Sequence, residues 1–377
     1  MGTSPKRDLR IDLFRGLALV VIYIDHIPSD RLSHLTIRNF GFTSAADIFV
    51  LLAGISFALA YVPRLDARGL RAVVSQVGRR IGTIYLAHVA VLLAALAMLI
   101  AIGRDSPLDL FAVAPPSWAG STYSHAATMA LTLQYQPPYF DILPLYIVLL
   151  VFAVPLLLLA RVHWALALSA SALVWLLGEV YTINFPSTRS AAGWYFDPMS
   201  WQIVFALGLV IGLFSLDRTP IKRSTWLSVL SVLVIAACFL LVFPCRHYGP
   251  LSAHCYFEPL SHITGLLDRQ TLWRFLNTLA WMYLIVRFIP RDARWLDNTL
   301  ARILTRMGKH SLAVFSLGTL LSLVARIFLS GPQAGWGAQI GVFVLGTAVM
   351  ALTAYLLDIR PRNTTGWFAP GQSRSRA

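Results

Sequence analysis

Charge is what this chain has least of. Only 13% of its 377 residues are Asp, Glu, Lys or Arg, about half the share in an ordinary soluble domain, so a normal water-facing surface is excluded for most of its length. Cysteine is scarce as well, at three residues. There is no Cys-x-x-Cys pair, no His-rich cluster and no Gly-rich phosphate loop, which leaves metal and dinucleotide sites without support. Acidic residues are outnumbered, and the net charge of +14 invites a nucleic-acid partner. The basic residues, however, sit at the edges of apolar runs, where membrane topology and anionic lipid head groups account for them. No small-residue cleavage site follows the first apolar run, so that run is expected to remain a helix of the mature protein.

What is abundant is apolar sequence, 57% of the residues, with a mean hydropathy of +0.67. Runs of membrane-spanning length recur near 12–28, 45–62, 81–103, 142–160, 164–181, 199–215, 225–243, 272–289, 310–329 and 337–357. The expected architecture is therefore all-α: a polytopic integral membrane protein of about ten transmembrane helices. A single transmembrane domain would cover 1–359, and the polar tail 360–377 would be a disordered cytoplasmic extension. With the N-terminus inside, 23 of the 31 basic residues fall in inside segments. The other eight are Arg31, Arg38, Arg104, Arg189, Arg246, Arg269, Arg274 and Arg326. That bias fits ten spans with both termini cytoplasmic.

The connecting segments are read more openly. Residues 126–135 are too short to span and suit a re-entrant or interfacial helix. The outer loops 182–198 and 244–271 are rich in Tyr, Trp, His, Pro and Asn. That mixture suits a sugar-binding surface and equally an aromatic belt. Cys238 lies within a run and reads as inert packing. Cys245 and Cys255 share an outer loop in an oxidising compartment, so a disulfide between them is one of two open alternatives.

The first run carries ionisable groups, which are costly in a bilayer and usually face protein or a water-filled cavity. At 100° per residue Asp12, Arg15, Tyr23 and His26 fall on one stripe, the first and last about 21 Å apart along the axis. His26 closes this run and Asp47 opens the next, just after Thr43-Ser44. Consecutive antiparallel spans are usually neighbours, so the two can meet near the outer face. A carboxylate orienting an imidazole makes a general base for a hydroxyl proton. The bland alternatives are an interfacial histidine and a helix-capping aspartate. Asp25 lies about 100° around the helix and suits a pairing with Arg31 or Arg38, while His34 is a rival base. At the inner end Asp12 and Arg15 would form an ion pair, and Arg79 and Arg80 would anchor a phosphate-rich donor or simply the topology. A donor with a charged nucleotide head and a long thin arm, such as coenzyme A, could connect the two ends. Gln136 and Asp141 before the fourth run, Trp201 and Gln202 in the sixth, and Lys309-His310-Ser311 before the ninth are further pocket candidates or packing residues.

Taken together, Arg10-Ile11-Asp12-Leu13-Phe14-Arg15-Gly16-Leu17-Ala18-Leu19, Asp25-His26-Ile27-Pro28, Arg38-Asn39-Phe40-Gly41-Phe42, Ala46-Asp47-Ile48-Phe49-Val50, Gln136-Pro137-Pro138, Asp141-Ile142-Leu143-Pro144-Leu145-Tyr146, Trp201-Gln202 and Phe315-Ser316-Leu317-Gly318 resemble the OpgC family. These are membrane succinyltransferases of osmoregulated periplasmic glucans, within the acyltransferase-3-like superfamily. The resemblance implies an inner-membrane enzyme of about ten helices that takes an acyl group from cytoplasmic acyl-CoA to a glucan hydroxyl outside. Succinyl-CoA is the favoured donor, with acetyl-CoA the alternative. It implies His26 as catalytic with Asp47 beside it. Asp25, Gln136, Asp141, Trp201 and Gln202 would line the acceptor side, and Asp12, Arg15, Arg79, Arg80, His310 and Ser311 the donor side. No metal is implied. Partners would be membrane lipids and the glucan, and a homodimer is compatible. One departure stands out: the superfamily often carries a second arginine three residues after the first, and here Thr83 follows Arg80. A succinyl tail would also need a positive partner near the outer site, with Arg31, Arg38, Arg246 and Arg326 as candidates. The rivals are an acetyltransferase acting on another envelope polysaccharide and a non-enzymatic transporter, the latter without an evident internal repeat.

Overall fold

Inside a bilayer the backbone has no water to bond, and a helix satisfies every peptide group within one segment. The computed structural model describes residues 8–27, 31–102, 123–216, 224–247, 272–291, 293–329 and 335–359. Among the described residues there is no strand. The helices are α1 (Leu9–Asp25), α2 (Ala45–Ile102), α3 (Tyr123–Leu131), α4 (Ile142–Val162), α5 (Trp164–Tyr181), α6 (Pro198–Leu216), α7 (Thr225–His247), α8 (Leu272–Phe288), α9 (Thr299–Lys309), α10 (Ser311–Leu329) and α11 (Trp336–Ile359). The described part of each of the ten apolar runs falls mainly on these helices. Seven helices among the described residues are long and apolar enough to cross a membrane, which makes the chain a multi-pass membrane protein. Helices α1 and α8, at 17 residues each, are shorter. Cys255 and the tail 360–377 lie outside the described residues, as does the side chain of Cys245; Cys238 is buried.

Two runs expected as separate helices share α2. The stretch between them is not a loop: it is helical, broken at Gly69, where φ is +73° and ψ 175°. Its Arg, Leu, Ala and Val residues are helix-compatible, and the break falls on a glycine, which accepts a positive φ at little cost. Residues 123–131 form the short helix expected near 126–135, tied to α2 by Tyr85 Oη donating to the Leu131 carbonyl at 2.9 Å.

Packing is closest where glycines face backbone. Helix α2 has its main contact with α6, and α1 with α9. A β-carbon at Gly308 would overlap the Asp12 carbonyl oxygen, and one at Gly16 the Leu304 carbonyl oxygen. Gly54 and Gly208 do the same between α2 and α6. Such small-residue contacts let backbones approach where lipid supplies no hydrophobic drive between helices. Gly308→Ala is therefore expected to destabilise the protein by about 1–3 kcal/mol through overpacking. Gly341→Ala, where a β-carbon meets open space, should be neutral or slightly stabilising. Comparing unfolding of the two variants in detergent checks this, and equal behaviour would contradict it.

The start of α1 is pinned before it enters the bundle. Asp8 caps it by accepting from the Arg10 amide at 3.1 Å, and the Arg10 side chain both pairs with Asp8 and reaches the Ile289 carbonyl at 2.7 Å. Burial pushes the Asp8 carboxyl upward, but Arg10, with help from Arg291, outweighs it and holds the group below its ordinary value.

Candidate active site

The polar stripe on α1 divides between two neighbours. Tyr23 donates to the Val342 carbonyl on α11 at 3.1 Å, so its hydroxyl serves packing. Arg15 turns the other way, toward α2, where it donates to the Leu52 carbonyl at 3.2 Å and to Ser56 Oγ at 2.8 Å. Asp12 is buried, with its backbone carbonyl against Gly308 of α9, so the bonds shown for Arg15 lead to α2 and not to the partner expected for it. The roughly 80° spread within the stripe is wide enough for its members to meet different helices.

His26 ends α1 as its C-terminal cap, its amide bonded to the Ile22 carbonyl at 3.0 Å. Its ring lies against Tyr139, with centroids 4.5 Å apart and planes inclined by 38°. No side-chain hydrogen bond to His26 occurs among the described residues. Tyr139 follows Pro137-Pro138 in a left-handed conformation, φ +74°, which is uncommon for a non-glycine residue and persists where surroundings impose it. The Arg326 guanidinium of α10 sits 4.8 Å from the centre of the same tyrosine ring. Asp25 does not face His26: it binds Arg38 at 3.2 Å and accepts from Thr36 Oγ1 at 2.7 Å. Arg38 is one of the two partners expected for Asp25; the side chain of the other, Arg31, lies outside the described residues. His34 is exposed.

Asp47 is not the partner of His26. Its carboxylate, fully buried, takes Arg274 of α8 in a two-pronged pair, Nε to Oδ1 and Nη2 to Oδ2 both at 2.8 Å. The Ser44 amide and hydroxyl add bonds at 2.8 and 2.7 Å. Trp201, also fully buried, lies under the Arg274 guanidinium at 4.8 Å. Next to this pair Asn277 accepts from the Thr43 amide at 3.1 Å and from Thr43 Oγ1 at 2.6 Å. Helix α8 therefore grips the start of α2 through charge and hydrogen bonds. An intramembrane arginine in the eighth run and an intramembrane aspartate in the second each needed an opposite charge. That need was the available signal for pairing them, and sequence adjacency pointed to His26 instead.

The other acceptor-side candidates are engaged within the fold. Gln202 donates to the Ser171 carbonyl at 2.7 Å and accepts from Ser171 Oγ at 2.5 Å, clamping α6 to α5. Gln136 donates to the Leu133 carbonyl at 3.0 Å, and its own carbonyl receives Arg189 at 3.3 Å. Asp141 precedes α4 and bonds Leu145 through its backbone carbonyl; its carboxylate does not cap the helix. Loop 182–198 folds onto this segment through the Thr188 amide and the Gln134 carbonyl, 3.0 Å.

On the donor side the structure gathers part of the expected set. A narrow cavity of ≈ 40 Å³ is lined by Arg15, Phe49, Ala53, Arg80, Ile142, Leu143, Tyr146, Ser311, Leu312 and Phe315. That volume holds about three waters. It suits a thin chain and not a nucleotide. Arg79 is exposed, away from the cavity that Arg80 lines. His310 faces Asp358 at 3.4 Å, in a cluster with Lys309 and with Arg306 at 3.6 Å, so it braces α11 instead of lining the cavity. The residues that line it on α4 begin three positions after Tyr139, so one short stretch joins the cavity wall to the residue that backs His26.

A family model described as OpgC protein matches residues 7–362. No curated protein and no solved structure matches the chain.

Proposed function

The chain belongs to the OpgC family, which implies a transferase of the acyltransferase type, and from that premise we propose that it moves an acyl group, succinyl in preference to acetyl, from cytoplasmic acyl-CoA to hydroxyls of periplasmic glucans across the inner membrane. The single observation that carries this reading is the track along α1. Arg15 and Arg80 line a narrow cavity on one side of the bundle, and His26 stands further along the same helix against Tyr139, about 16 Å away by helical rise.

The chemistry that suits this layout is direct transfer. A glucan hydroxyl gives its proton to a ring nitrogen of His26 as its oxygen attacks the thioester carbonyl. The new C–O bond forms, the C–S bond breaks, and the departing coenzyme A thiolate takes the proton from the imidazolium, which restores the base. Among the described residues the His26 ring has no competing side-chain bond, which leaves it able to turn toward a substrate proton. Two guanidinium groups at the cavity suit an anionic donor, and its width suits the pantetheine arm.

Purified protein given labelled acyl-CoA and periplasmic glucan is expected to label the glucan. Absence of transfer from both succinyl-CoA and acetyl-CoA would overturn the proposal. In the same assay Arg80→Gln should raise KM for the donor by about tenfold, the weight of one charge-assisted contact. Arg79→Gln, whose side chain is exposed, should move it little. Equal effects of the two would remove Arg80 from the donor site.

A further inference from the structure

The second half of α2 carries a buried polar group that the packing leaves unused. His88 is 1% exposed, and among the described residues its Nε2 has no hydrogen-bond partner. An unpaired polar atom in a protein interior is costly, and native structures seldom keep one. Within a membrane span an ionisable side chain marks function by default.

Its neighbours along the helix place the ring. Leu86 and Leu93 are exposed and mark the lipid side, and His88 stands roughly 140–160° around the helix from them. One turn before it Ile84 is fully buried. One turn after it Val91 and Leu92 bracket its face, and both pack in a cluster with Phe140 and Leu323. Phe140 lies between Tyr139, which backs His26, and Ile142, which lines the narrow cavity. Arg80, eight residues earlier on α2, lines the same cavity, about 12 Å away by helical rise. His88 is thus set between the cavity and the wall behind His26. Extended, a pantetheine arm runs ~15–16 Å from phosphate to sulfur, and the amide nearer the sulfur lies ~11–12 Å along it. With the phosphate at Arg80 and the sulfur at His26, that amide comes level with His88. A neutral imidazole offers one N–H and one bare nitrogen, and an amide can match either.

We propose that His88 is a donor-binding residue, hydrogen-bonding the amide nearer the thioester so that the acyl group is held in register with His26. The inference rests on the acyl-transfer reading above and deepens it. The bland role for His88 is a packed ring with one nitrogen left unsatisfied. In that role an apolar residue of similar size would serve as well or better, and it would not tell one donor arm from another.

The test compares the acyl-CoA that the protein uses with an analogue in which a pair of methylenes replaces that amide, as donors to the same glucan. The wild type should prefer the natural donor by about tenfold in kcat/KM, the weight of one buried hydrogen bond. His88→Leu should bring the preference close to parity, by raising KM for the natural donor while moving that for the analogue little. His88→Met is a second apolar variant, read in the same way if the leucine protein fails to accumulate. His88→Gln, whose side chain can both donate and accept, should keep part of the preference. A wild type with no preference, or a preference unchanged in the apolar variants, overturns the assignment of His88 and leaves acyl transfer standing. A wild type that transfers from neither succinyl-CoA nor acetyl-CoA overturns the underlying reading itself.

Discussion

Alanine at position 26 should cut acyl transfer to glucan by about 10²–10⁴-fold, the range that a positioned general base contributes, while the folded protein persists. The second half of this expectation comes from the contacts. Among the described residues the imidazole has no side-chain hydrogen bond, and its neighbour is a tyrosine ring at 4.5 Å. Among the described residues its removal orphans no buried donor or acceptor, so the cost to stability is that of a modest ring contact, about 0.5–1.5 kcal/mol. Transfer rate and unfolding in detergent, measured on one preparation of His26→Ala, give the two numbers. Substantial transfer at normal stability would remove His26 from the reaction. Loss of both together would mark it as structural. Asp47→Asn supplies the contrast: because Asp47 is bound to Arg274 and not to His26, its change should act on stability before it acts on the pH dependence of transfer.

The membrane architecture was legible because a bilayer permits few solutions. Every apolar run of sufficient length had to be a helix, and the runs at 164–181 and 199–215, polar-flanked and less obvious, still became α5 and α6. The α2 linker was missed for a local reason. Hydropathy reports where a helix leaves lipid, not where it stops, and residues 62–80 continue as helix on favourable propensity until Gly69 permits a turn. The stripe on α1 was read correctly as unusual and incorrectly as one surface. Periodicity places residues on a face but does not say how many helices share that face, and here Tyr23 meets α11 while Arg15 meets α2. Arg15, Arg80 and Ser311, far apart in sequence, do share a cavity. Tyr139 and Arg274 were out of reach for different reasons. The first acts through a left-handed backbone set by the turn around it, and the second through a partner 227 residues away.

That distant partnership underlies the other large effect. Arg274→Met should destabilise the protein by about 3–5 kcal/mol, the usual cost of leaving a buried charge without its partner. Asp47 is fully buried, and the loss would remove the two-pronged guanidinium contact while the Ser44 amide and hydroxyl stayed bonded to it. The methionine would still fill space above Trp201, so the loss would be electrostatic more than steric. Neutralising the stranded acid should recover much of it. In the double variant Arg274→Met with Asp47→Asn, the asparagine oxygen can keep accepting from Ser44 while carrying no charge, so the double should unfold later than Arg274→Met alone. Unfolding of wild type, both singles and the double in the same detergent closes the cycle. A single variant as stable as the wild type, or a double no better than Arg274→Met, would show that this pair does not hold α8 to the start of α2. The recovery expected here also separates the two aspartates flanking the candidate base. Asp25 pairs instead with Arg38, whose side chain is 42% exposed, and pairing with an exposed partner contributes little, so Asp25→Asn should cost less. The grip of α8 on the start of α2 is thus a polar one, and the chemistry proposed for His26 would depend in part on a charge pair that does not contact its ring.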